Sequence, residues 1–303
     1  MCGINGILSL ADQRPDFSGA VGHMNDALAH RGPNDAGVFS DAGVSLGHRR
    51  LSIIDLSSAG HQPKVSADGR LVLVFNGEIY NYRELRRELD YPFSSNSDTE
   101  VLLAAWQSWG ADCIDRLAGM YGFAIWDRHE RELHLVRDRL GIKPVYYFND
   151  GERLLFSSEV RAILNSGLVA RKLDRKSLVD YLRYQTVHQP NTIISGLKML
   201  PPATHMRVRG NNVDMRSYWS PVVQPQADIT VESARTKVHD ALLKAVERRL
   251  VADVPFGAFL SGGIDSSAIV ALMSGVTNNV STFSVTFAEE EFSEARYARM
   301  VAK

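Results

Sequence analysis

Apolar and polar positions alternate in short runs through the first part of the chain, and turn-forming residues separate the runs. INGILSL and VSLGHRRLSII bracket a polar stretch. RLVLVFNGEIYNY reads as an apolar strand running into Asn76-Gly77, a dipeptide that favours turns. MYGFAIWD, ELHLVRD, PVYYFND and RLLFSSE are further short runs with strand character. Two segments switch to the helical period. YNYRELRREL is one. DTEVLLAAWQSWGADCIDRL is the other, with Val101, Ala105, Trp109 and Cys113 at four-residue spacing, which predicts one helix with Cys113 on its packed face. Strands dominate, and the helices are expected to cover the sheet faces.

The texture changes around residues 201–228. LPPATHMRV and SPVVQPQAD are rich in proline and polar residues, so 206–228 is expected to be a linker between a first domain, 2–205, and a second, 229–303. TVESARTKVHDALLKAVERRL then predicts a helix with Thr230 as its N-cap. PFGAFL, SGGIDSS, AIVALM, VSTFSVTF and SEARYARMVAK read as strand, glycine-rich loop, helix, strand and helix. That order begins a Rossmann-like parallel α/β domain, but two strands make it incomplete.

Composition narrows the class. The 303 residues are 45% hydrophobic and 23% charged, with net charge -1. This is soluble globular material without a nucleic-acid tail or a polybasic membrane patch. No apolar run approaches the roughly 20 residues that span a bilayer, and MCGINGILSL lacks the basic start of a secretory signal. Two cysteines cannot make a disulfide framework, which points to a reducing cytoplasm. The nine histidines show no ligand spacing, so no structural metal is implied.

Cys2 stands directly behind the initiator methionine. If the methionine is removed, one residue carries both a thiol and a free α-amine. The amine, with a reference pKa near 8, can take the thiol proton, so the residue serves as nucleophile and base together. A lone cysteine here would more often be a small buried residue. Other residues tip the balance. Asn76 offers a side-chain amide donor and Gly77 a closely approachable N–H, which suits an oxyanion hole; alone, they would read as a hairpin turn. Arg50 suits a carboxylate and Asp98 an ammonium; alone, they would read as a surface charge and a helix N-cap.

MCGINGI, AHRGPNDAG, GHRRLSIIDLSSAGHQP, VFNGEIYN, SDTE and RDRLGIKPVYY occur in this order. Together they closely resemble the class II glutamine amidotransferase domain, over roughly residues 2–205. The resemblance implies an α/β (α+β) fold, the four-layer αββα sandwich of N-terminal-nucleophile hydrolases, with glutamine as substrate and no cofactor for that step. It implies that Cys2 attacks the side-chain amide, that Asn76 and Gly77 hold the oxyanion, that Arg50 binds the α-carboxylate, and that Asp98, with Glu78 close by, binds the α-ammonium. Ammonia then leaves and water cleaves the thioester.

The second domain adds LSGGIDSS, a glycine-rich loop between a strand and a helix. It lacks the G-K-[ST] of the Walker pattern. Exposed N–H groups at a helix start attract phosphate, and Ser261, Ser266 and Ser267 add hydroxyls beside Gly262 and Gly263. The loop resembles the pyrophosphate loop of ATP-pyrophosphatase synthetases. That implies ATP with Mg²⁺ near Asp265, and Leu260 and Val285 flanking the adenosine; plain strand core is the equal alternative for those two. A glutaminase domain followed by this loop resembles glutamine-dependent asparagine synthetases, which implies that ammonia passes to an adenylated aspartate to give asparagine, AMP and pyrophosphate. The resemblance also suggests a homodimer, and the family's synthetase domain continues beyond the position of Lys303. Another carboxylate acceptor, such as a sugar acid or a peptide, is the nearest rival. Phosphoribosylamine-forming, glucosamine-forming and β-lactam-forming relatives rank lower. A non-catalytic glutamine-binding module stands as the reading from a different class.

Overall fold

The computed structural model describes every residue except Asp12, Gln224, Gln226 and Ala227. The chain divides into two units, Met1–Pro221 and Val222–Lys303. The first unit contains, in order, β1 (Gly3–Ser9), α1 (Ser18–Ala27), β2 (Asp35–Asp41), β3 (Val44–Arg50), β4 (Lys64–Val65), β5 (Leu71–Ile79), α2 (Tyr82–Glu88), α3 (Asp98–Trp109), α4 (Cys113–Arg116), β6 (Gly119–Asp127), β7 (Glu132–Arg137), β8 (Tyr146–Asn149), β9 (Arg153–Ser157), α5 (Val160–Asn165), α6 (Arg175–Tyr184), β10 (Leu197–Met199), β11 (Thr204–Arg209) and β12 (Asn212–Ser217). Its strands form two antiparallel sheets, β10-β8-β9-β1-β3-β2 and β12-β11-β7-β6-β5-β4.

The period-two alternation of a strand sends successive side chains to opposite faces, and here it builds the layers. Ile4 and Leu8 of β1, Val44 and Leu46 of β3, and Leu154 and Phe156 of β9 form one cluster with Val72 and Val74 of β5, Ala124 and Trp126 of β6, and Leu133 and Leu135 of β7. These residues fill the space between the sheets. Residues of the opposite parity, Ile7 and Leu155, pack instead with Val21, Met24 and Leu28 around α1 and with Ala162 and Ile163 of α5. Beyond the second sheet, Trp106 of α3 contacts the rings of Phe123, His134 and His205. The result is the four-layer αββα sandwich.

Three expectations need correction. Asn76-Gly77 is not a turn: both residues lie inside β5, opposite Gly122 and Tyr121 of β6. A continuous ladder outweighs the dipeptide's local preference. Gly77 is required there because an added Cβ would run into the Met120 carbonyl oxygen. Residues 206–217 are not linker, because β11 and β12 form a hairpin that adds two strands to the second sheet. Met206 and Val208 are buried core, while Arg207 and Arg209 alternate outward, and the turn is Gly210-Asn211 with Gly210 at φ +52°. The remainder of 206–228 follows that hairpin and includes three of the undescribed residues. Finally, the helix expected over 98–117 ends at Trp109, because Gly110 takes φ +57°. Cys113 starts the separate α4 and is buried.

The second unit contains α7 (Val231–Arg249), β13 (Gly257–Phe259), α8 (Ile264–Val276), β14 (Ser281–Phe283) and α9 (Ala295–Val301). β13 and β14 pair in parallel, with α8 between them in sequence, the order expected of a βαβ unit. Thr230 caps α7, its side chain accepting from the Ser233 N–H at 3.2 Å. Leu260, Val270 and Ala298 form a small core. Among the described residues, no helix is long and apolar enough to cross a membrane.

Candidate active site

The alternation that fills the space between the sheets also places the polar residues at its end. Cys2 precedes β1 with the parity of Ile4 and Leu8. Arg50 ends β3 with the parity of Val44 and Leu46, and Asn76 and Glu78 continue the Val72–Val74 series on β5. Three strands of two sheets therefore carry their core-facing stripe into a pocket. Cys2, Arg50, Asn76, Gly77, Glu78 and Asp98 all line it, joined by Lys143. The centres of water molecules can occupy about 60 Å³ of it, room for several waters. Each first-domain site residue expected from the sequence is thus in one place.

The donors that face the pocket follow from the edge of β5. β4 pairs only with Leu73 and Val72, so among the described residues the remaining edge has no strand beside it. The Phe75 N–H on that edge donates to Gln62 Oε1 at 2.7 Å, and the Ile79 N–H donates to Asp98 Oδ2 at 3.0 Å. Alternate N–H groups of an antiparallel strand point the same way, so the Gly77 N–H between them also points to this edge. The Asn76 Nδ2 group is buried and has no hydrogen-bond partner among the described residues. A buried unpaired amide is costly, so its donor capacity stands in reserve for a ligand.

The other side chains are held firmly. Arg50 donates Nη1 to Ser57 O at 2.9 Å and Nη2 to Ile54 O at 3.5 Å and to Asp55 O, three of its five N–H groups. A Cβ at Gly60 would collide with that guanidinium. Gln62 also donates Nε2 to Thr99 Oγ1 at 3.3 Å, tying β5 to α3. Asp98 is not the N-cap of α3. Ser97 caps it by accepting from the Glu100 N–H, which frees the Asp98 carboxylate for the pocket.

Two residues went unassigned in the sequence. Arg31, within AHRGPNDAG, donates Nε to Cys2 O at 2.8 Å while Nη1 pairs with Glu159 at 2.9 Å. It anchors the start of the chain. Lys143, within RDRLGIKPVYY, is almost fully buried. Both sit in quoted motifs, but nothing local marks them as facing Cys2.

Burial dominates the electrostatics. It pushes the Cys2 thiol above its ordinary value, opposed by the Leu51 backbone contact and the adjacent terminal ammonium. The Leu51 N–H donates to Cys2 Sγ at 3.4 Å. The terminal ammonium is itself lowered, first by burial, with Arg31 and Lys143 contributing. Burial raises Asp98 to about 7, helped by the like charge of Glu78. An unfolded aspartate ionises near pH 4. Between there and about 7 the unfolded chain therefore loses the proton first, so stability falls as pH rises through that window and levels off above it. Cys113 is pushed up to about 12 by burial, consistent with a core role.

In the second unit the expected loop residues also come together. Gly262 has φ +86°, and a Cβ there would run into Tyr297. Ser261 Oγ and Ser266 Oγ lie 3.0 Å apart, and Ser261 Oγ accepts from the Gly263 N–H at 3.2 Å. Gly263 is the N-cap of α8, with Asp265 in its first turn and exposed. Ser267 Oγ is buried without a partner among the described residues. The Leu260 N–H donates to Phe283 O at 2.8 Å; Leu260 is core, whereas Val285, just past β14, is exposed. No group of three or more potential metal-ligating side chains occurs among the described residues.

The two-sheet sandwich between helices has the fold of the N-terminal-nucleophile hydrolases. The solved glutamine phosphoribosylpyrophosphate amidotransferase of Bacillus subtilis shares this fold with a TM-score of 0.55 at 16% identity, over 96% of this chain and 68% of that one. The family model described as the glutamine amidotransferase domain matches residues 1–219, and the chain belongs to that family. A second model, asparagine synthase, matches 237–303. Among curated relatives, asparagine synthetase [glutamine-hydrolyzing] 1 of Bacillus subtilis is 37% identical over 100% of this chain and 48% of its own length. A putative asparagine synthetase 2 of Methanocaldococcus jannaschii is 34% identical over 99% of this chain and 62% of its own. The chain thus spans about half the length of such relatives.

Proposed function

We propose that the first unit hydrolyses glutamine to glutamate and ammonia, with Cys2 as nucleophile after removal of Met1. The observation that carries this reading is the Asn76 amide, unpaired among the described residues, beside the Gly77 N–H on the open edge of β5, in the pocket that holds Cys2. Donors in this arrangement receive the negative charge that develops when a thiolate adds to an amide carbonyl. A zwitterionic amino acid needs one cation and one anion. Arg50 keeps two N–H groups for the α-carboxylate, and Asp98 with Glu78 takes the α-ammonium. The freed α-amine of Cys2 accepts the thiol proton and passes it to the departing ammonia. Water then cleaves the glutamyl thioester.

For the second unit, the relatives' names and the glycine-rich loop support transfer of ammonia to ATP-activated aspartate. Ser261, the exposed loop backbone, the Ser267 hydroxyl, unpaired among the described residues, and the start of α8 fit a phosphate chain, and Asp265 fits a single carboxylate contact to Mg²⁺, which otherwise keeps water and phosphate oxygens. Bound ATP would supply the activation of the acceptor carboxylate. ATP–pyrophosphate exchange that requires aspartate, measured on a chain extended past Lys303, tests this half.

Two measurements test the glutaminase half. Intact mass should show a species lighter by one methionine, and that species should release ammonia from glutamine. Retained methionine with glutamine binding but no ammonia would support the binding module instead. Asp98 adds a pH dependence: in the Cys2→Ala protein, calorimetric glutamine affinity should rise from pH 6 to pH 8 as the carboxylate ionises. Asp98→Asn should weaken binding roughly tenfold and flatten that dependence. A pH-independent Kd in the parent would remove Asp98 from the ammonium site.

A further inference from the structure

Lys143 is 5% exposed, lines the Cys2 pocket, and has no hydrogen bond or ion pair on its ammonium among the described residues. A buried cation without a partner is expensive to keep, and its backbone is held as though its place matters. The Asp138 carboxylate accepts from the N–H groups of Tyr121, Leu140, Ile142 and Lys143 at 3.2, 3.1, 2.9 and 2.9 Å. The Arg137 guanidinium donates to the carbonyls of Lys143, Gly141 and Leu200 at 2.9, 2.6 and 2.6 Å. The loop 138–143 is therefore clamped from both sides, and the lysine is delivered to the pocket with little freedom left to lose.

The charges around Cys2 come from every neighbouring element. Arg31 approaches from beyond α1, Arg50 from the end of β3, Glu78 from β5, Asp98 from α3, Lys143 from the loop after β7, and the terminal amine from the chain itself. Arg31 is already paired with Glu159. Arg50, on the proposed reading, faces the substrate carboxylate. Glu78 and Asp98 oppose a thiolate. On the proposed reading the terminal amine, once it has taken the thiol proton, is one counter-charge to the sulfur; a second counter-charge is still to be assigned among the described residues.

We propose that Lys143 is that counter-charge: a positioning residue whose ammonium stabilises the Cys2 thiolate and the anionic intermediate that follows it. This rests on the reading of Cys2 as the nucleophile. The proximity shows on the lysine, since burial lowers it while Glu78 and then Cys2 act in the opposite direction. No proton or electron is exchanged with Lys143; it acts through its field.

The test is the pH dependence of Cys2 alkylation by iodoacetamide, with the modified site located by mass spectrometry. Cys113, buried and pushed up to about 12, should stay unmodified. Lys143→Met should move the alkylation midpoint up by about one pH unit and slow alkylation at pH 7 roughly tenfold. It should lower kcat for glutamine by at least about tenfold with KM within about twofold. Lys143→Arg should restore most of both. Lys143→Gln, which keeps polarity without charge, should behave as the methionine variant does and covers the case in which methionine prevents folding. A wild-type alkylation profile in folded Lys143→Met or Lys143→Gln protein overturns the proposal, as does a loss confined to KM. If the unaltered protein releases no ammonia at all, the glutaminase reading fails, while the alkylation profile still reports on Lys143.

Discussion

Replacing Cys2 with alanine should cut glutamine-dependent ammonia release by at least about 10⁴-fold while leaving the fold intact. The expectation follows from the proposed route. Without sulfur there is no covalent intermediate, and removal of the nucleophile from a hydrolase that works through one costs on the order of 10⁶-fold in kcat. Cys2 touches only Leu51 and Arg31 through the contacts described, so the substitution should leave the circular dichroism and the melting temperature nearly unchanged. Glutamine should still bind, because Arg50, Glu78 and Asp98 remain. A Cys2→Ala protein that releases ammonia at an unchanged rate would show that the sulfur is not the nucleophile, whatever else the pocket binds.

Asn76→Ala should lower kcat by about 10²–10³-fold, equivalent to about 3 kcal/mol of transition-state stabilisation, with little change in KM. The same change should leave stability unaltered or raise it, by up to about 1–3 kcal/mol less any loss of packing, because it removes a buried donor that has no partner among the described residues. Activity and stability moving in opposite directions is the signature of a group held unpaired for a transition state. If Asn76→Ala lost both together, the amide would be a structural group and the oxyanion assignment would fall. Steady-state kinetics and urea unfolding of the same preparation decide between them.

Much of the site was readable from the chain because its chemistry is local in residue type. A cysteine behind the initiator, an arginine ending VSLGHRR, and the FNGE and SDTE stretches each carry a group that the proposed reaction would need, and they line one pocket. What misled was local geometry. Asn76-Gly77 has the composition of a turn, yet pairing across β5 and β6 holds it extended. Asp98 looks like a cap, yet Ser97 performs the capping and leaves the carboxylate bonded to the Ile79 N–H. Proline-rich surroundings hid β11 and β12, whose alternation of Met206 and Val208 with Arg207 and Arg209 was legible but short.

The sequence by itself determined the alternation of side chains along each strand and the identities of the polar groups, because side-chain parity and the reactivity of a functional group are properties of residues and their immediate neighbours; the layers and the role of Cys2 were expected from the resemblance of the motifs to a known family. Only the tertiary structure decided which of those groups share a pocket, that Asn76 is left without a partner among the described residues, and that Arg31 and Lys143 belong beside Cys2. Those facts depend on strands distant in the chain ending at the same level of the sandwich. They also depend on burial, which changes the acidity of a thiol, an amine and a carboxylate by removing water from around them, and which no stretch of residues encodes alone.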